Sequence, residues 1–143
     1  MSDIRLDAIG ANDLEFLRQL RNQERQWFFD QSEITPEAQA AWHRRLGENP
    51  NHHWYLVRVK DARAGCFSIK VRSDARAEVG SILLAPEFRG QGVMTRAMGA
   101  AMAQLGSHLR YYTEVLPDND RSLNLFKRLG FTATFVTLER TVR

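Results

Sequence analysis

A single cysteine, Cys66, stands in a chain of 143 residues. It cannot close an internal disulfide, so a reducing compartment suits the chain. Its setting, Gly65-Cys66-Phe67-Ser68-Ile69, is strand-like, and a buried structural thiol is expected there rather than a nucleophile. No apolar run approaches the ~20 residues that a membrane-spanning helix needs. The start, Ser2-Asp3-Ile4-Arg5, is mixed rather than basic and then apolar, so no signal peptide is expected and a cytoplasmic location is. The four histidines, His43, His52, His53 and His108, show no ligand spacing with cysteine or carboxylates, and no metal is expected. A Ser/His/Asp or Cys/His signature is absent as well. Basic residues are scattered apart from Arg44-Arg45 and the C-terminal Arg140 and Arg143. Clustered basic residues with interleaved aromatics would mark a nucleic-acid surface, and none is expected. Repeats, low-complexity tracts and linkers are also missing. One domain over residues 1–143 is the expectation.

What is present is an ordinary globular composition, 43% apolar and 26% charged, with a net charge of +3. That mild positive bias suits a ligand carrying several phosphates. The most informative segment is Arg89-Gly90-Gln91-Gly92-Val93. It follows a β-like run, Ala77 to Leu84, and opens a helix-like run, Val93 to Leu105. Glycines let the backbone turn and approach a ligand closely. The first N–H groups of a helix have no partner within it and favour an anion. Arg89 adds a guanidinium fork suited to phosphate. The loop is no P-loop, because Gly92-Val93-Met94 stands where Gly-Lys-Ser/Thr is required. It also lacks the third glycine of a dinucleotide-binding turn.

Elsewhere the periodicity predicts a strand over Ile4 to Ile9 and a helix capped by Asn12 or Asp13 and running to about Arg25, with Leu14, Leu17, Leu20 and Arg21 on one face. A second helix starts at Thr35-Pro36 and runs to about Leu46. Strands are predicted over Trp54 to Val59, Ala64 to Val71, Ala77 to Leu84 and Tyr111 to Leu116. Strict alternation in the third of these puts Glu78, Gly80, Ile82 and Leu84 on one face and Val79, Ser81 and Leu83 on the other. A short helix follows over Arg121 to Leu129, and Thr132 to Val142 is expected to supply one or two final strands. The order β-α-α-β-β-β-α-β-α-β is an α/β layer fold.

Two motifs in sequence carry a family resemblance. Arg89-Gly90-Gln91-Gly92 resembles the Arg/Gln-x-x-Gly-x-Gly/Ala pyrophosphate loop of the GNAT superfamily of acyl-CoA-dependent N-acyltransferases. Asn119-x-x-Ser122-x-x-Leu125-Phe126-x-x-Leu129-Gly130-Phe131 resembles that family's Asn-x-x-Ser/Ala-x-x-Leu-Tyr-x-x-Leu-Gly-Phe element. The resemblance implies a single-domain α/β fold with a mixed central sheet, helices on both faces, and strands that splay near Leu84 and Val115. The pantetheine arm of acetyl-CoA would enter that splay. Cofactor contacts are implied for Leu83, Leu84, Arg89, Gly90, Gln91, Gly92, Val93, Met94, Asn119, Ser122 and Phe126. Two positions depart from the pattern. Phe126 replaces a tyrosine whose hydroxyl is thought to serve the leaving thiolate, and Met94 stands where Gly or Ala is preferred. The methionine either crowds a cofactor contact or points into the core.

Acyl transfer to an amine needs a neutral nitrogen, donors for the oxyanion and an exit for the thiolate. Glu78 and Glu114 flank the implied splay and are the candidate bases. His52 or His53, acting through water, is an alternative, although the turn Asn49-Pro50-Asn51 points to plain surface histidines. Ser122 or a water is the candidate acid in place of Phe126. For the acceptor, Arg21, Asn22, Arg25 and Trp27, with Trp42 beyond them, resemble members that acetylate amino groups on nucleotide-linked sugars. The expected partner is therefore a small-molecule amine, best an amino sugar on a nucleotide. The alternatives are a protein N-terminus, a polyamine, an antibiotic amine, or a non-catalytic acyl-CoA-binding module, which Phe126 favours. A homodimer is compatible with all of them.

Overall fold

The computed structural model describes residues 3–142. Five strands form one sheet in the order of the chain, β1 (Ile4–Asp7), β2 (His52–Val59), β3 (Ala62–Val71), β4 (Arg76–Leu84) and β5 (Arg110–Tyr112). The first four pair antiparallel, while β5 pairs parallel with β4. The parallel step needs a crossover, and α3 (Val93–Leu105) supplies it. Helices α1 (Leu14–Gln23) and α2 (Pro36–Arg44) lie between β1 and β2 in sequence, and α4 (Asp120–Arg128) follows β5.

Local chemistry sets the helix starts. The Thr35 hydroxyl accepts from the Ala38 amide at 3.2 Å with Pro36 at the first helical position, and Asn119 caps α4 by accepting from the Ser122 amide at 3.3 Å. Asp13 does not cap α1. Its carboxylate instead accepts from the Gly10 amide at 2.7 Å and from Arg63 Nε at 2.8 Å, tying the start of α1 to β3.

Two apolar layers sandwich the sheet. One packs Val57, Phe67, Ile69, Ala77 and Val79 against Val93, Met94, Ala97 and Met98 of α3 and Leu125 and Phe126 of α4. The other packs Leu56, Cys66 and Leu83 against Leu17 and Leu20 of α1, with Trp42 and Trp54 at its margin. Fully buried side chains such as Phe67 each contribute about 1.5–3 kcal/mol by leaving water.

Four expectations need correction. First, β4 does not alternate strictly. Cys66 pairs with Leu83 but Ser68 pairs with Gly80, so β4 carries one extra residue there, and Ser81 takes φ 55°. This bulge flips the faces: Ile82 and Leu84 join Val79 against α3, and Leu83 turns towards α1. Second, β2 begins at His52, so His52 and His53 are strand residues rather than surface-turn residues. Third, the strand expected over 111–116 ends at Tyr112, because its pairing with β4 stops at Glu78. Fourth, residues 132–142 form no strand. Their alternating pattern suits a strand, but no neighbour in the sheet pairs with them, and Phe135, Val136, Leu138 and Val142 are exposed. Among smaller differences, β1 stops at Asp7, α1 at Gln23 and α2 at Arg44.

Candidate active site

Where β5 leaves β4, the sheet opens. Beyond the Glu78–Tyr112 pair the Thr113 hydroxyl bridges the two strands, donating to the Val79 carbonyl at 2.8 Å. A cavity of about 550 Å³ fills the gap, walled by Gly80 to Leu84 on one side and Thr113 to Val115 on the other. The β4 bulge lies in its wall, as bulges beside binding sites often do.

The glycine loop forms one end. Gly90 and Gly92 sit at φ 76° and 72°, a left-handed conformation that costs other residues about 1–2 kcal/mol. Gly92 is the N-cap of the 13-residue α3 and offers no side-chain cap. The positive end of the helix dipole therefore faces the cavity. Met94 is buried in the α3 core layer and also lines the cavity.

Arg89 reaches across this end to the Glu24 carboxylate at the end of α1, and its Nε is buried without a partner. Arg121, in the first turn of α4, meets the other Glu24 oxygen at 3.2 Å. One carboxylate thus holds two arginines, from the glycine loop and from α4, beside the start of α3. Nothing in the sequence links positions 24, 89 and 121, and Glu24 and Arg121 escaped the sequence reading. A phosphate group would compete with Glu24 for these arginines. Glu24→Gln is accordingly expected to tighten acetyl-CoA binding severalfold, read by calorimetry at low salt. Unchanged or weaker binding would mean that the arginines serve α1 packing only.

The other end of the cavity is a charged row across four strands. His52 pairs with Lys70, Lys70 with Glu78, and Glu78 with Tyr112. Arg72 donates to Glu78 Oε1 at 2.5 Å and to the Tyr112 hydroxyl at 2.7 Å. His52, Lys70, Arg72 and Glu78 all line the cavity. Burial, helped by the neighbouring Lys70, pushes the His52 ring below its ordinary pKa, so it stays neutral where a free histidine begins to charge. Lys70 lies near the end of β3 and Arg72 just beyond it, and their two-residue spacing is the sequence signal that could have found them. Glu114 lines the cavity from an exposed position.

At the base of α4, Ser122 and Asn119 line the cavity while Asn119 serves as the cap. Phe126 is buried with its ring edge-on to Phe131 at 5.0 Å, and it carries no proton to give. Of the acceptor candidates, Arg21 and Trp27 line the cavity. Asn22 does not: its amide holds both the N–H and the C=O of Ile34, at 2.8 and 3.0 Å, and so pins the segment after α1. Arg25 lies 3.7 Å from Glu33 and does not line the cavity. Trp42 packs edge-on to Trp54 at 4.9 Å. Cys66 is buried, and burial pushes its thiol up to about 12, so it stays protonated and unreactive. Among the described residues no group of three His, Cys, Asp or Glu could hold a metal ion.

A splayed sheet with a glycine-capped helix start on one side and a row of titratable residues on the other agrees with the arrangement expected of an acyl-CoA-dependent acyltransferase. The profile of the Acetyltransferase (GNAT) family matches residues 14–131, and the chain belongs to that family. It is an acyl-CoA-dependent N-acetyltransferase, with acetyl-CoA as its co-substrate. It is 24% identical over 136 residues to a spermidine N(1)-acetyltransferase of Escherichia coli (strain K12), covering 90% of this chain and 73% of the relative. Among solved structures it resembles the spermidine N-acetyltransferase of Vibrio cholerae bound to CoA and spermine, with TM-score 0.77, 22% identity, and 98% and 87% of the two chains covered. It also resembles RimL, a ribosomal L7/L12 alpha-N-protein acetyltransferase in complex with coenzyme A, with TM-score 0.77, 22% identity, and 90% and 80% covered.

Proposed function

We propose that the chain moves the acetyl group of acetyl-CoA directly onto a primary amine in a ternary complex, and that this amine belongs to an anionic small molecule. An amino sugar carried on a nucleotide is the first acceptor to test. The observation that carries this reading is the single cavity that joins the glycine loop to the row His52–Lys70–Glu78. Held together there, amine and thioester react with the advantage of proximity. The amine nitrogen attacks the thioester carbonyl, a C–N bond forms and the C–S bond breaks. The amine proton passes to Glu78 or, through water, to His52, and the thiolate leaves with a hydrogen bond from Ser122 or water and takes its proton from water.

The charges on the acceptor side support an anionic substrate. Glu78 is matched by Arg72 and Glu24 by Arg89 and Arg121, whereas Lys70 and Arg21 form no ion pair with a carboxylate among the described residues. A polyamine would have to enter against those two cations. The likeness to spermidine acetyltransferases and the presence of Asp30 on the cavity wall keep that reading as the second one.

Thiol release from acetyl-CoA across a panel of nucleotide-linked amino sugars, polyamines, aminoglycosides and peptide N-termini tests the proposal. Turnover confined to polyamines would overturn the anionic acceptor, and binding without turnover of any amine would point to an acyl-CoA-binding module. In the same assay, Ser122→Ala is expected to lower the rate and Phe126→Tyr to preserve or raise it. A wild-type rate for Ser122→Ala would remove Ser122 and leave water alone to serve the thiolate. A cytoplasmic location belongs to the same proposal; among the described residues no helix is long and apolar enough to cross a membrane. So does a homodimer, for which sedimentation equilibrium is the measurement.

A further inference from the structure

A second, smaller cavity of about 290 Å³ lies between α1, α2 and strands β2 to β4. Its walls are largely apolar, built from Leu17, Phe28, Trp42, Trp54 and Leu83. It shares Arg21, Phe28, Ser81 and Leu83 with the large cavity, so the two meet beside the β4 bulge. Its volume lies near the lower end of the ~300–1,000 Å³ typical of ligand pockets. It therefore suits a short group of a ligand whose remainder sits in the large cavity.

Three polar side chains stand on this apolar wall, Arg21, Gln39 and, where the two cavities meet, Ser81. The Arg21 guanidinium is fixed on two sides. It stacks over the Phe28 ring at 3.6 Å, and its Nη2 donates to the Asp30 carbonyl at 2.6 Å. Its Nη1 is buried and has no partner. Burial lowers the pKa of this group despite the nearby Asp30, a sign of a cation short of compensating charge. A buried charge left unpaired is costly. Gln39 is buried on α2, with an amide that both donates and accepts.

We propose that this cavity is a carboxylate subsite: a short apolar stem enters beside Ser81 and Leu83, and its terminal carboxylate pairs with the half-buried Arg21 guanidinium, with Gln39 at hand. The planar guanidinium matches a carboxylate. A phosphate dianion, which needs more donors than this wall offers, fits it poorly. The subsite rests on the acyl-transfer reading and names a chemical feature of one of its two substrates. The carboxylate arrives either on the acyl group, as in a dicarboxylic acyl-CoA, or on the acceptor amine.

Two matched pairs of probes separate these sources. Succinyl-CoA against butyryl-CoA, compared by calorimetry, needs no acceptor. 4-Aminobutyrate against 4-aminobutanamide, compared by kcat/KM with acetyl-CoA, keeps the amine and changes only the remote carboxylate. One pair is expected to favour its carboxylated member by about 10-fold or more, the scale of one charge-assisted hydrogen bond. Arg21→Met should bring that ratio to about 1, whatever happens to the absolute rate or affinity. If Arg21→Met fails to fold, Ala38→Phe, which narrows the same cavity from α2, should also shrink the ratio. No preference in either wild-type pair, or a preference that survives these variants, overturns the subsite. Failure of the acyl-transfer reading looks different: no amine is acetylated, while the calorimetric pair still reports on Arg21.

Discussion

Glu78→Gln is expected to lower kcat/KM at neutral pH by about 10²–10⁴, the contribution of a well-placed general base. Glutamine keeps the shape of the side chain and removes the proton acceptor. The loss should shrink as pH rises towards the pKa of the acceptor amine, because solution then supplies the neutral nucleophile. Affinity for acetyl-CoA should barely move, since Glu78 sits at the far end of the cavity from the glycine loop. The Arg72 pair complicates the role in a testable way. Arg72 holds the carboxylate at 2.5 Å, so an amine has to share Glu78 with a guanidinium. Arg72→Met should then change the rate without unfolding the chain, as both side chains lie at the rim of the sheet. If Glu78→Gln retains the wild-type rate and pH profile, Glu78 is structural, and His52 becomes the leading base, with Glu114 behind it. The depressed pKa of His52 would place the acidic limb of the rate profile below that of an ordinary histidine.

Gly92→Asp is expected to weaken acetyl-CoA binding by about 100-fold in calorimetry, a few kcal/mol of like-charge contact and lost approach. No atom lies within 4 Å of where its Cβ would stand, so the substitution creates no clash. Aspartate is a good N-cap and tolerates a left-handed backbone better than most residues. The left-handed backbone at Gly92 strains the aspartate by about 1 kcal/mol, so the variant should fold with a melting temperature a few degrees below that of the native chain. What changes is the charge at the N-terminus of α3, where the pyrophosphate is proposed to bind. Unchanged affinity in the folded variant would remove the glycine loop from the cofactor site. Weaker affinity whose deficit shrinks as salt is raised would identify the introduced charge as the cause.

The legible features were those set by local chemistry. Thr35-Pro36 announced a helix start because the cap and the fixed proline φ act within four residues. Gly90 and Gly92 announced a turn, and the structure gives both a left-handed backbone. The amphipathic spacing of α1 placed Leu17 and Leu20 on its buried face, and Phe126 and Met94 were recognised as departures before their positions in the core were known. Features set by strand neighbours were less legible. The bulge at Ser81 leaves no mark in the apolar pattern of β4, yet it reverses the faces of Ile82, Leu83 and Leu84. Residues 132–142 alternate as a strand does, but alternation describes a face and not a partner, and a strand exists only by pairing.

The sequence by itself determined the class of fold, the family and the ligand type, because two short motifs at fixed spacing bring glycines, a helix start and a capping asparagine into the chemistry of a phosphorylated thioester. Only the tertiary structure decided how charge is distributed around that ligand. Glu24, Arg89 and Arg121 stand 65 and 97 residues apart along the chain, yet share one carboxylate. His52, Lys70, Glu78 and Tyr112 come from four strands to make one row. Arg21 stood among the acceptor candidates from the sequence, but that its Nη1 is buried without a hydrogen-bond partner is visible only in the fold. The reason is general to such sites: helix starts and glycine turns are set by bonds within a few residues, whereas ion pairs, cavities and buried charges depend on which distant surfaces the fold presses together.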